Sequence, residues 1–179
     1  MRDKGDWNHA NVQSAGGCCL MMGDQLYFYC SGRGNGHVTS LAVLRRDGFV
    51  SMDAGDAEGT ITTRPVTFRG KHLFVNVDAP AGELRAEVLD EQGEVVAPFG
   101  AANCEPVRAD KTRQAVTWKG ADLARVAGKT VRFRFHLTNG KLYAFWVSPE
   151  ATGASHGYVA AGGPGFTGLT DNVGVGPAR

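Results

Sequence analysis

"TVRFRFHLTNGKLYAFWVS", residues 130–148, decides the fold class. In its first half Val131, Phe133, Phe135 and Leu137 alternate with Arg132, Arg134 and His136. A period of two puts alternate side chains on opposite faces of a strand, so the pattern predicts one apolar and one wet face. "TNGK" then reads as an Asn-Gly hairpin turn. In "KLYAFWVS" both alternate sets are apolar: Leu142, Ala144 and Trp146 on one face, Tyr143, Phe145 and Val147 on the other. Such a strand is either central in a sheet or covered by further chain.

The period of two continues outward in both directions. "GELRAEVLDEQGEVV" (82–96) is a second hairpin signal, with Leu84, Ala86 and Val88 inward and Glu83, Arg85 and Glu87 outward. "KHLFVNVDA" (71–79) places Leu73, Val75 and Val77 opposite His72, Phe74, Asn76 and Asp78. "TRQAVTWK" (112–119) adds a strand, and the proline in "GTITTRPVTF" (59–68) marks an edge or a bulge. "ADLARVAG" (121–128) is the one helical candidate, of one or two turns. Many short strands with frequent turns predict an all-β chain, a two-sheet antiparallel β-sandwich of jelly-roll-like form.

The front of the chain differs. "QLYFYCS" (25–31) is a strand rich in aromatics after a Gly23-Asp24 turn, followed across "GRGNG" by "HVTSLAVLRR" (37–46), an Asp47-Gly48 turn and "FVSMDAG" (49–55). The acidic loop "DAGDAEG" sets an expected boundary, giving 1–56 as strands of a truncated blade, 57–149 as the sandwich and 150–179 as a Gly-rich tail.

With 19 basic and 18 acidic residues the net charge is +1, which argues against an electrostatic nucleic-acid partner. No apolar run approaches the ~20 residues of a membrane helix, and no signal-peptide pattern opens the chain, so a soluble protein is expected and its compartment is left open. The cysteines at 18, 19, 30 and 104 contain no CxxC pair. Mostly buried free thiols are expected, with a bridge from Cys18 or Cys19 to Cys30 as the alternative. No cofactor is implied, since "GGPGFTG" (162–168) lacks the Lys-Ser/Thr of a phosphate loop.

"NVQSAGGCCLMMGDQLYFYCSGR" (11–33) followed by "LAVLRRDGFVSMDAG" (41–55) resembles the end of a five-bladed β-propeller in bacterial proteins related to the family 32 glycoside hydrolases. The sandwich that follows the propeller in that group is similar to residues 59–96, 110–137 and 141–149 here. The resemblance implies that the strand pair near the start belongs beside further propeller blades. It does not bring catalytic residues with it. The family's Asn-Asp-Pro motif is absent, Arg46-Asp47 is followed by Gly48, and Cys104-Glu105 reverses the family's Glu-Cys order.

Three functions are carried forward. One is a non-catalytic, carbohydrate-associated accessory module of a glycosidase-like protein. Another is a small free-standing glycoside hydrolase with its own Asp/Glu pair; Glu83 and Glu87, two repeats apart on one strand, read instead as a solvated face. The last is a structural piece that self-associates through residues 11–45, because an apolar strand pair with open edges invites pairing. Candidate saccharide contacts are Trp146, Tyr143 and Trp118, with Trp7 behind them, since sugar C–H faces pack on aromatic rings. Asp53, Asp56 and Glu58 are candidate cation ligands. His72 and His136 are candidates for a pair across one sheet.

Overall fold

A computed structural model describes residues 3–34, 36–159 and 162–174. Asn35 of the "GRGNG" turn and, in the expected tail, residues 160, 161 and 175–179 lie outside the described residues. The described chain is all-β, with two short 3-10 turns. The described residues divide into a sheet unit, 3–46 together with 157–171, and a sandwich unit, 47–156 with 172–174.

In the sheet unit β1 (Asn11–Ser14) and β2 (Leu20–Met22) share one edge of β3 (Gln25–Gly34), and β4 (Gly36–Arg45) pairs along the other. One face carries Met21, Leu26 and Phe28 and is sealed by Val159 and Phe166 from the C-terminal segment. The Met21 amide donates to the Gly162 carbonyl (2.8 Å). Trp7 lies flat on Gly32, a contact that any Cβ at position 32 would block. Arg46 pairs with the buried Asp171 at 2.9 Å and stands over the Phe166 ring.

The sandwich unit has a three-stranded sheet, β6 (Gly59–Thr62), β10 (Arg132–Thr138) and β8 (Glu83–Leu89), in the order β6-β10-β8. Its four-stranded partner runs β5 (Met52–Ala54), β11 (Gly140–Ser148), β7 (His72–Asp78), β9 (Asp110–Val116). The two sheets pack through one core containing Leu73, Val75 and Val77 from one side and Ala86, Val88, Phe133 and Phe135 from the other. Each fully buried Val or Phe of this kind contributes about 1.5–3 kcal/mol.

Several expectations change at this level. The 56/57 boundary falls within the sandwich unit, because β5 is hydrogen-bonded to β11 through Met52↔Leu142 and Asp53↔Lys141. The segment expected as a tail is divided, with Gly157–Asp171 completing the sheet unit. Thr138-Asn139-Gly140 is not a hairpin turn. β10 and β11 belong to different sheets, and the Asn139 amide donates to Gly55 O (2.8 Å) rather than across a hairpin. Asn139 does take the left-handed conformation expected of an Asn in a tight turn (φ 44°). The helical candidate at 121–128 shrinks to the 3-10 turn Leu123–Arg125, capped by the Asp122 carboxylate on the Ala124 amide.

Both faces of β7 are covered, so Phe74 and Asn76 are buried rather than solvent-facing. Residues 149–154 cross that outer face. Gly153 (φ 74°) packs where a Cβ would meet Phe74 and Arg113, and Ser148 Oγ donates to Ala154 O (2.7 Å). Register shifts flank Asn76 on both sides: β11 skips from Leu142 to Ala144 and β9 from Gln114 to Lys111. Each is a bulge, an extra residue that re-aims the side chains beyond it. The β11 bulge at Tyr143 keeps Leu142, Phe145 and Val147 on the core side and leaves Ala144 and Trp146 outside. The alternation expected for 142–147 therefore slips by one at Tyr143.

Candidate functional site

The outer face of the three-stranded sheet carries the densest chemistry of the sandwich. Alternation on β10 sends Arg134 and His136 outward, and alternation on β8 does the same for Glu83, Arg85 and Glu87. In register, His136 stands between Thr60 of β6 and Arg85 of β8, so a carboxylate reaches it diagonally from each side, Glu87 from β8 and Glu58 from the residue just before β6. Nδ1 lies 3.0 Å from Glu58 Oε1 and Nε2 lies 3.1 Å from Glu87 Oε2. Glu87 also accepts from Arg134 Nη1 (3.3 Å) and from the Ala101 amide (3.1 Å).

Burial opposes charging His136, but the hydrogen bonds to Glu58 and Glu87 outweigh it and raise the imidazole pKa above 6.5. Burial pushes Glu87 up as well, yet the His136 and Ala101 hydrogen bonds prevail and hold its carboxyl below 4.5. The array is therefore an imidazole bridging two carboxylates, with Arg134 beside it. Its Glu58 and Glu87 oxygens are at most roughly 8 Å apart, within the range of an inverting glycosidase pair, but the imidazole fills the space a sugar and water would need.

At one end of the sandwich the 79–82 loop approaches the β10–β11 corner closely. Gly82 faces the Thr138 carbonyl with no room for a side chain. An open groove of about 440 Å³ results, lined by Gly82, Glu83, Arg108, Thr138 and Asn139 among others. Glu83 holds its rim, accepting from Arg85 Nε (2.8 Å) and from Arg108 Nη2 (2.6 Å). Those two guanidiniums lower the Glu83 pKa, the Arg85 bond most.

The residues singled out from sequence are scattered. Trp118 is a core residue; its Nε1 donates to Ala86 O (3.0 Å) and Phe99 meets its ring edge-on, so it offers no face to a sugar. Trp146 stacks on Phe74 at 5.7 Å and donates to Gly153 O (3.1 Å). Tyr143 is the half-buried bulge residue of β11. Trp7 lies on Gly32 in the sheet unit.

Asp53 accepts from Ser51 Oγ (2.5 Å) and Glu58 is engaged with His136. Among the described residues no three His, Cys, Asp or Glu side chains gather as metal ligands. His72 and His136 sit in different sheets and do not pair. All four thiols are free, and only Cys104 is buried, so neither the expected burial nor the alternative bridge describes Cys18, Cys19 and Cys30. The Glu58–His136–Glu87 array was missed because its members come from 78 residues of chain. A strand-by-strand reading placed Glu87 and His136 outward but could not supply the register joining them.

No family model, no curated protein and no solved structure matches this chain.

Proposed function

We propose that the chain is a non-catalytic accessory module of a glycosidase-like protein, with the sandwich as its body and the end groove as its saccharide contact. One observation carries the non-catalytic part. The best-placed carboxylates of the sandwich, Glu58, Glu83 and Glu87, are each hydrogen-bonded to His136 or to arginines, and none faces another across an open cleft. General acid–base hydrolysis of a glycoside needs two carboxyl groups with substrate between them.

The groove supplies the other half of the reading. Thr138 and Asn139 line it beside the Glu83–Arg108 pair, residues that supply donors and acceptors suited to sugar hydroxyls. The resemblance of residues 11–149 to the propeller–sandwich end of family 32-related proteins supports the same reading. Hydrolysis and binding are measured side by side on a panel of oligo- and polysaccharides. Binding without turnover, weakened about tenfold or more in Arg108→Ala, is expected. Turnover abolished by Glu87→Gln would overturn the reading, as would binding indifferent to Arg108.

A further inference from the structure

The sheet unit leaves one whole face open. Pairing in register puts Leu20 beside Tyr27, Tyr27 beside Val43 and Tyr29 beside Leu41, all on the side opposite the sealed Met21, Leu26 and Phe28. Met22 joins them beside Gln25. Leu20, Met22, Tyr29, Leu41 and Val43 are each more than a third exposed, and Tyr29 and Val43 reach 49 %. Together these five side chains leave roughly 400 Å² open in one patch, the size of a monomer's largest apolar patch, which is often functional.

We infer that this face is the interface of a homodimer, in which two copies of the sheet stack face to face about a two-fold axis parallel to the strands. Three features select a second copy. The first is self-complementarity: the bulky Tyr27 and Tyr29 stand in a row on β3, the smaller Leu41 and Val43 in a row on β4. An axis running between the two strands lays each tyrosine row over the partner copy's aliphatic row, Tyr29 over Leu41 and Tyr27 over Val43.

The second feature is charge. No charged side chain lies within the patch; Arg33 and Arg45 mark its two ends. Nothing in it recognises a charged partner, and nothing repels a copy of itself. Area is the third. A standard interface buries about 800 Å² per partner, a little over half of it non-polar, and the open apolar area here is close to that non-polar share. Stacked sheets pack ~10 Å apart with strands near −30°, so the strand directions of the two copies remain compatible.

Sedimentation velocity on the whole chain across about 5–200 µM tests the inference. A concentration-dependent shift from monomer to dimer is expected, with the dissociation constant rising about a hundredfold in Leu41→Glu and in Val43→Lys. Tyr29→Thr, which keeps strand propensity and adds no charge, is expected to raise it about tenfold. Val38→Lys lies on the opposite face and is expected to leave the dimer intact. Circular dichroism accompanies each variant. A monomer at every concentration, assemblies larger than a dimer, a dimer that survives both outward charges, or equal loss in Val38→Lys would each overturn the inference. So would a dimer that forms only when a different protein is added.

Discussion

The sandwich and the sheet unit begin from the same local rule, alternating strands with short turns, and reach different ends. In the sandwich the main apolar strand faces meet one another: β10 and β8 close over β7 and β11, and residues 149–154 cover the far side of β7 around Phe74. In the sheet unit only one face is sealed, by a segment more than a hundred residues later in the chain, and the other stays apolar and open. A strand pattern fixes how side chains divide between two faces, but what covers each face is decided by chain far away.

The largest expected effect is at the sandwich core. Phe135→Ala removes a ring packed between Phe133 and Phe145 and should cost about 3–5 kcal/mol, read in urea unfolding. Leu26→Ala in the sheet unit should cost less, at the lower end of about 2–5 kcal/mol, because its cluster is small. Equal losses would erase the contrast between the two units.

Next comes Asn76. It is wholly buried where both neighbouring strands carry an extra residue, and among the described residues no buried side-chain polar atom lacks a hydrogen bond. Asn76→Leu strands those partners and is expected to cost about 2–3 kcal/mol, with the change in amide exchange centred on Leu142–Ala144. A neutral substitution would mean that the bulges hold themselves. Gly153→Ala follows at about 2 kcal/mol, from its left-handed backbone and the contact with Phe74. Its signature is increased exposure of Trp146 by fluorescence quenching.

The smallest effect is electrostatic. His136 has a raised pKa, so its contribution is complete below 6.5 and fades as pH rises through the higher folded value. Glu87 is lowered, so its contribution is complete above 4.5 and is lost as pH falls through its folded value. Sandwich stability should therefore be flat between 4.5 and 6.5 and decline on both sides. His136→Gln should remove the alkaline decline and shrink the acid one, which the Ala101 amide and Arg134 then sustain, a difference visible in melting temperature against pH.

Much of this fold was legible where alternation is clean. β8 and β10 bury the residues the period assigned inward, Leu84, Ala86, Val88, Phe133, Phe135 and Leu137. Legibility failed where one inserted residue or one distant segment intervened. The bulge at Tyr143 shifted the faces of β11, and the 149–154 crossing buried Phe74. Asn139-Gly140 has the composition of a hairpin turn yet carries the chain from one sheet to the other, a choice made by the packing of β11 on β7 and not by the turn itself. The acid–imidazole array was legible residue by residue and illegible as an array, because it needs the registers of β6, β10 and β8 at once.

The discontinuity of the sheet unit has a consequence for the order of synthesis. Its strands leave the ribosome before those of the sandwich, but Met21 and Leu26 gain their cover only when Val159 and Phe166 follow, after both sandwich sheets have emerged. Of the two units, the one whose strands come earlier in the chain is completed by the later segment. A chain halted at residue 156 would hold both sheets of the sandwich and leave an unroofed sheet trailing in front of it.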